Sequence, residues 1–186
     1  MKQLKIIGLA LVAAAAFMAL AGNASAAPTL TCPTAGTTCT GSITTSAVET
    51  LTLKAGIATD TCTTSTVSGT LGSNTETEAS GSISTLDFGG CSLTTDVLSE
   101  GSLTILPTGE VKSIGSEVTV SALGTSCVYG GGASPGTKLG TLTGGTTASL
   151  SVKAQLPKIS GGFACSNPAE WTGKYSVTSP DTLLLK

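Results

Sequence analysis

Six cysteines, Cys32, Cys39, Cys62, Cys91, Cys127 and Cys165, constrain what this chain can fold into more than any other feature. All six lie downstream of a segment that reads as an export signal. Lys2 and Lys5 make a positive start, an apolar run extends from Ile6 to Ala21, and small residues follow at Ala24-Ser25-Ala26. Residues 1–26 are therefore expected to be a signal peptide, with the mature chain beginning at Ala27. A chain delivered to an oxidising compartment pairs its cysteines and is stapled by them. The apolar run is rich in Ala and short for a span of about 20 residues, so it is read as cleaved rather than as an anchor. Asn23 stands where a lipoprotein would carry its lipid-bearing cysteine, and Leu106-Pro107-Thr108-Gly109 lacks the spacing and tail of a wall-sorting signal, so it is read as a turn.

Without the leader, 160 residues remain, enough for one domain with a real core. Two of the nine lysines leave with the leader and all eleven acids stay, so seven positive charges face eleven negative ones for a net charge of −4. The chain has no Arg and no basic patch, which excludes a nucleic-acid partner, and no stable membrane insertion is expected once the leader is removed. Ser, Thr and Gly are abundant, yet Val, Ile and Leu recur at alternating positions throughout. A disordered stalk would lack that core-forming set.

Periodicity decides the fold class. From Thr147 to Leu156, Ala148, Leu150, Val152, Ala154 and Leu156 fall on one face, with Ser149, Ser151, Lys153 and Gln155 on the other. Similar patterns recur at Val48–Lys54, Thr66–Leu71, Ser82–Phe88, Ser102–Leu106, Val118–Ala122, Lys138–Thr143 and Trp171–Thr178, mostly separated by Gly, Pro, Ser or Asn. Outside the leader no helical spacing is sustained, and glycine interrupts nearly every window. The reading is all-β: an antiparallel β-sandwich, or a barrel-like Greek key, stapled by disulfides and preceded by a signal-peptide helix. Residues 27–46 are expected as an N-terminal arm or strand and 47–186 as a single sandwich domain.

The cysteines permit fifteen complete pairings, and sequence alone does not choose among them. The sequential set is the expectation: Cys32–Cys39 closing a small loop, Cys62–Cys91 joining neighbouring strands, and Cys127–Cys165 tying the C-terminal part together. A zinc site is disfavoured because no pair has the spacing of a metal knuckle and the chain has no His. A thiol nucleophile would also lack its usual base.

Apparent catalytic motifs dissolve on inspection. Gly132-Ala133-Ser134-Pro135-Gly136 fits the nucleophile-elbow pattern, but the residue after that Ser must supply an N–H to the oxyanion, and proline has none. With no His there is no Ser-His-Asp chemistry. The stretch from Gly131 to Thr137-Lys138 has Thr and Lys in the wrong order for a phosphate loop and is read as a glycine-rich turn. Glu76 and Glu78 would share a face if extended, and are read as a solvated strand end or loop. Asp87 is read as an Asp at a strand end, bonding backbone amides of the turn at Gly89-Gly90. No catalytic residue, cofactor site or metal site is expected, and the chain is not expected to be an enzyme.

Five aromatics remain after the leader: Phe88, Tyr129, Phe163, Trp171 and Tyr175. Trp171 and Tyr175 share a strand face with Gly173 and Val177, which suits a buried core or a stacking platform, and packing is the expected use.

Cys165, the run from Trp171-Thr172-Gly173-Lys174-Tyr175 to Ser179-Pro180, Cys127-Val128-Tyr129, Cys62, and Leu86-Asp87-Phe88-Gly89-Gly90-Cys91 together resemble small secreted actinobacterial Ser/Thr/Gly-rich β-sandwich proteins of unknown function. A weaker likeness is to secreted proteins labelled activators of alkane oxidation. The likeness runs from about Thr61 to the C-terminus, implies a secreted sandwich, and carries no catalytic residue across. Cys32 and Cys39 match neither group.

Two functions follow as expectations. One is a secreted structural or adhesive protein of the cell surface or matrix, pairing strand edges with itself or with other surface proteins. The other is a sandwich that binds a small apolar ligand.

Overall fold

In the computed structural model, which describes residues 27–32, 38–56 and 58–186, the chain is entirely β-structure. The expected signal peptide lies outside the described residues. The strands are β1 (Leu30–Thr31), β2 (Ser42–Ala47), β3 (Leu51–Ala55), β4 (Ala58–Cys62), β5 (Thr64–Asn74), β6 (Ala79–Gly89), β7 (Thr94–Ser99) and β8 (Ser102–Ile105). They continue as β9 (Glu110–Ile114), β10 (Glu117–Ala122), β11 (Thr125–Gly130), β12 (Thr137–Thr143), β13 (Ser149–Leu156), β14 (Lys158–Ser160), β15 (Ala169–Ser179) and β16 (Leu184–Leu185).

Eight of these strands close on themselves. The order β2-β5-β6-β8-β9-β12-β13-β15 is hydrogen-bonded throughout, and β15 returns to β2 through Tyr175↔Ala47, Ser176↔Ser46 and Val177↔Thr45. Every pairing is antiparallel, and spatial order follows chain order all the way round. The barrel alternative is therefore the one that forms, with an up-and-down course that needs no Greek-key crossover. Closure leaves no free edge in the ring.

The two ends differ because of where the remaining strands are inserted. Going around an up-and-down ring, alternate connections fall at opposite ends. At one end, here the lower, the links β5–β6, β8–β9 and β12–β13 are short turns. All the insertions fall at the upper end: the β3–β4 hairpin between β2 and β5, β7 between β6 and β8, the β10–β11 hairpin between β9 and β12, and β14 between β13 and β15. Three of them assemble into a second sheet, β14-β11-β10-β7, while β3 extends the barrel by pairing with the first half of β15. The segment expected as an arm, 27–46, supplies β1 and most of β2. Its β2 is a ring member, and β1 pairs with β16 at the lower end.

That lower end is tied to the turns around it. Thr29 N donates to Thr75 O at 2.7 Å, Asn74 Nδ2 to Leu30 O at 2.8 Å, and Gly145 N to Leu183 O at 2.7 Å. Leu30 and Leu183 are fully buried there. The run Leu106-Pro107-Thr108-Gly109 is a turn, with Gly109 N donating to Leu106 O and Gly109 at a φ of 82°. Gly136 N likewise donates to Ala133 O in the glycine-rich turn that leads into β12.

β13 keeps the alternation read from sequence, with Val152, Ala154 and Leu156 buried and Ser151, Lys153 and Gln155 exposed. On β15, Trp171, Gly173, Tyr175 and Val177 face inward. A Cβ on Gly173 would run into the Leu51 side chain, so glycine is what lets β3 pack beside the two aromatics. Among the described residues the disulfides are Cys32–Cys39, Cys62–Cys91 and Cys127–Cys165. Two of the three join separate upper insertions: Cys62–Cys91 links β4 to the lead-in of β7, and Cys127–Cys165 links β11 to the loop after β14. Three disulfides are consistent with an oxidising environment. Among the described residues no helix is long and apolar enough to cross a membrane.

The bridges span 29 and 38 residues in the upper layer and only 7 at the lower end. Replacing Cys127 and Cys165 together by Ser is expected to lower the unfolding free energy by about 3–4 kcal/mol, and the Cys32/Cys39 pair by about 2–3 kcal/mol, because shorter loops restrict the unfolded chain less. Urea unfolding of the two double variants measures both.

Candidate ligand cavity

Inward positions of the barrel and of the upper sheet do not meet. Between them lies an apolar cavity of about 170 Å³, partly open to solvent. Ile43, Val67, Leu103 and Leu150 line it from the barrel, Leu51 and Leu53 from the β3–β4 hairpin, and Val118 and Val120 from the upper sheet. Val118 and Val120 lie on one face of β10, directly opposite Tyr129 and Cys127 of β11 and Val97 and Thr95 of β7.

Four of the five aromatics enclose this space. Phe88 meets Trp171 edge-on at 6.2 Å between centroids, and Trp171 meets Tyr175 edge-on at 6.4 Å, so the three form a chain along the wall. Tyr129 closes it from the upper sheet. The expectation of packing concerns Trp171 and Tyr175: Tyr175 is about 1% exposed, and Trp171 packs against the core while staying partly exposed; Tyr129 is also about 1% exposed. Phe163 is fully exposed in the loop after β14 and takes no part.

The polar groups of the lining are few and mostly occupied. Asp60, 3% exposed on β4, accepts from Ser92 Oγ at 3.0 Å, Leu93 N at 3.0 Å and Thr95 Oγ1 at 2.6 Å. These bonds clamp β4 to β7, beside the Cys62–Cys91 bridge that joins the same two insertions. Together with the bond from Ser92 N to Thr61 O they also cover the outer edge of β4. Asp60, Cys62 and Cys91 lie close enough to suggest a metal site, but the two sulfurs are bonded to each other and offer no thiolate. Ser113 Oγ donates to Ser116 Oγ at 2.7 Å, which in turn donates to Glu100 O.

Tyr175 Oη donates to the buried Ser65 Oγ at 3.1 Å. Burial pushes the phenol up to about 12, and the Ser65 bond offsets part of that rise.

The acidic residues considered from sequence do not converge. Glu76 and Glu78 are exposed in the β5–β6 turn, where Glu76 pairs with Lys186 at 3.8 Å. Asp87 is not at a strand end: β6 runs on through Gly89, and the Asp87 side chain is exposed on its outer face. Sequence reasoning missed Asp60, although a signal existed. Asp60 sits two residues before Cys62, on the same face of a strand whose cysteine must point inward, so its carboxylate had to be buried with it.

Asp60→Ala would strand three donors and separate two insertions, so it is expected to cost about 2–4 kcal/mol, against less than about 0.5 kcal/mol for the exposed Asp87→Ala. Chemical denaturation of the pair measures the contrast. Tyr175 holds its proton more tightly when folded than the ordinary value of 10.0. Its contribution to stability is therefore complete below pH 10 and is lost as the pH rises toward 12, by up to about 2–3 kcal/mol. Tyr175→Phe is expected to flatten that decline in unfolding free energy measured across the same range.

No protein-family model, curated protein or solved structure matches the chain.

Proposed function

We propose that this protein is a secreted binding protein for a small apolar molecule, held between the barrel and its upper sheet. The observation that carries the reading is the cavity itself. At about 170 Å³ it is comparable to an engineered apolar cavity of ~150 Å³ that stays free of water and takes up benzene. Eight-stranded barrels are wide enough either to be filled by side chains or to hold one small ligand, and this interior is incompletely filled. Space of this kind is a standing cost to stability, because the atoms around it lack contacts that a ligand would restore. The occupant is on the scale of one aromatic ring or a short alkyl chain, about six to ten heavy atoms.

A structural or adhesive role through edge pairing has less to draw on. The ring has no edge, and the outer side of β4 is bonded to the Ser92–Leu93 segment. Among the described residues the strands with an edge that no other strand covers are β7, the three-residue β14, β4, whose edge the Ser92–Leu93 segment covers, and the two-residue β1 and β16.

Toluene, which fits this volume and has no hydrogen-bonding group, is the simplest test. Saturating the protein at about a hundredfold above the dissociation constant is expected to raise the unfolding free energy by about 2.7 kcal/mol. Amide resonances of β5, β10 and β15 should shift in the same titration. Unchanged stability and unchanged resonances would reject the reading.

A further inference from the structure

Building on that reading, we infer that the ligand carries one neutral oxygen and that the Tyr129 hydroxyl recognises it. Tyr129 is 1% exposed and lines the cavity. Its side chain leaves β11 on the face occupied by Val118 across the pair, and Val118 lines the cavity as well. Among the described residues its hydroxyl has no hydrogen-bond partner. The other buried polar side chains of the lining, Asp60, Ser113, Ser116 and Tyr175, are all hydrogen-bonded within the protein. An orphaned hydroxyl in an apolar wall is costly, and natural structures keep few of them. A ligand oxygen beside it would satisfy the group without disturbing the rest of the lining.

The chemistry of the wall narrows the class further. Among the described residues no Lys lines the cavity, whereas Asp60 does, so a fatty acid or other carboxylate would find no counter-ion there. A sugar would bring several hydroxyls to a wall whose buried polar side chains, among the described residues, leave one group unbonded. Small alcohols, ketones and phenols, with a single oxygen on an apolar body, fit both the volume and the one open hydrogen bond.

Phenol and toluene are nearly isosteric and differ in that oxygen, so calorimetric titration of both into the wild-type protein and into Tyr129→Phe isolates the bond. Tyr129→Phe is expected to weaken phenol binding about tenfold and to leave toluene within about twofold, since a hydrogen bond inside an apolar site contributes on that order. The variant should also unfold at the same temperature as the wild type or higher, because it removes an unsatisfied buried group. Equal effects on the two ligands, or no effect on either, would overturn the role of Tyr129 while leaving the cavity reading intact. A clear loss of thermal stability would overturn it too, by showing that the hydroxyl has a partner in the protein. Failure of the wild type to bind either compound would instead reject the cavity reading and this inference with it.

Discussion

The structure depends on one strand being paired along both flanks. β15 is bonded to β13 from Ala169 to Ser176, while its other side meets β3 at Glu170–Thr172 and β2 at Tyr175–Ser179. Without that double pairing the sheet would remain open, its inner face would have no opposite wall, and β2 and β13 would both present edges. The same strand supplies Trp171 and Tyr175 to the interior, and Gly173 between them admits Leu51. Ring closure and the shape of the interior therefore come from one eleven-residue segment. Its contacts reach back to residues near the start of the described chain, so the barrel closes only when distant parts of the sequence meet.

The interior is incompletely filled for a reason that lies in composition. Large side chains are scarce here, with four aromatics facing the interior and much of the remaining volume assigned to Val, Ala, Ser, Thr and Gly. An eight-stranded ring fixes a diameter that backbone geometry, not side-chain volume, determines. Small inward residues such as Ala79, Gly81 and Ser113 then cannot span to the opposite wall. A core built to native density would place Leu or Phe at such positions. Lower down, Leu30, Leu142 and Leu183 are buried.

Sequence patterning reached the fold class and six of the eight ring strands, because those strands alternate in the way a half-buried sheet requires, whereas it left the disulfide pairing open among fifteen. The two ring strands it missed explain the limit. β2 reads Ser-Ile-Thr-Thr-Ser-Ala and β9 places Ser113 inward beside Val111, so neither shows a clean apolar face. Their positions come from pairing partners far along the chain, which single-sequence periodicity does not carry. The cavity was illegible for the same reason. It exists between elements, where the inward face of β10 approaches that of β5, and no local pattern reports the distance between two faces. Asp60 was the exception, readable from its spacing to Cys62.

The division between the two ends follows from how each is held. The lower end is secured by backbone hydrogen bonds among the turns and the β1–β16 pair, with the short Cys32–Cys39 bridge beside them. In the upper layer the β14-β11-β10-β7 sheet joins three insertions by backbone pairing, but β4 and the loop after β14 are attached to it without strand pairing, and segments of that kind open at low cost unless something crosslinks them. Cys62–Cys91 and the Asp60 clamp fasten β4 to the β7 segment. Cys127–Cys165 fastens β11 to the loop after β14, where Lys158 Nζ also bonds Gly162 O and Cys165 O. Crosslinks placed there do more than resist unfolding: they set the separation between Tyr129 above and Trp171 and Tyr175 below, and that separation defines the cavity. In this chain the cysteines that first mark an oxidising destination also hold open the space in which a ligand would sit.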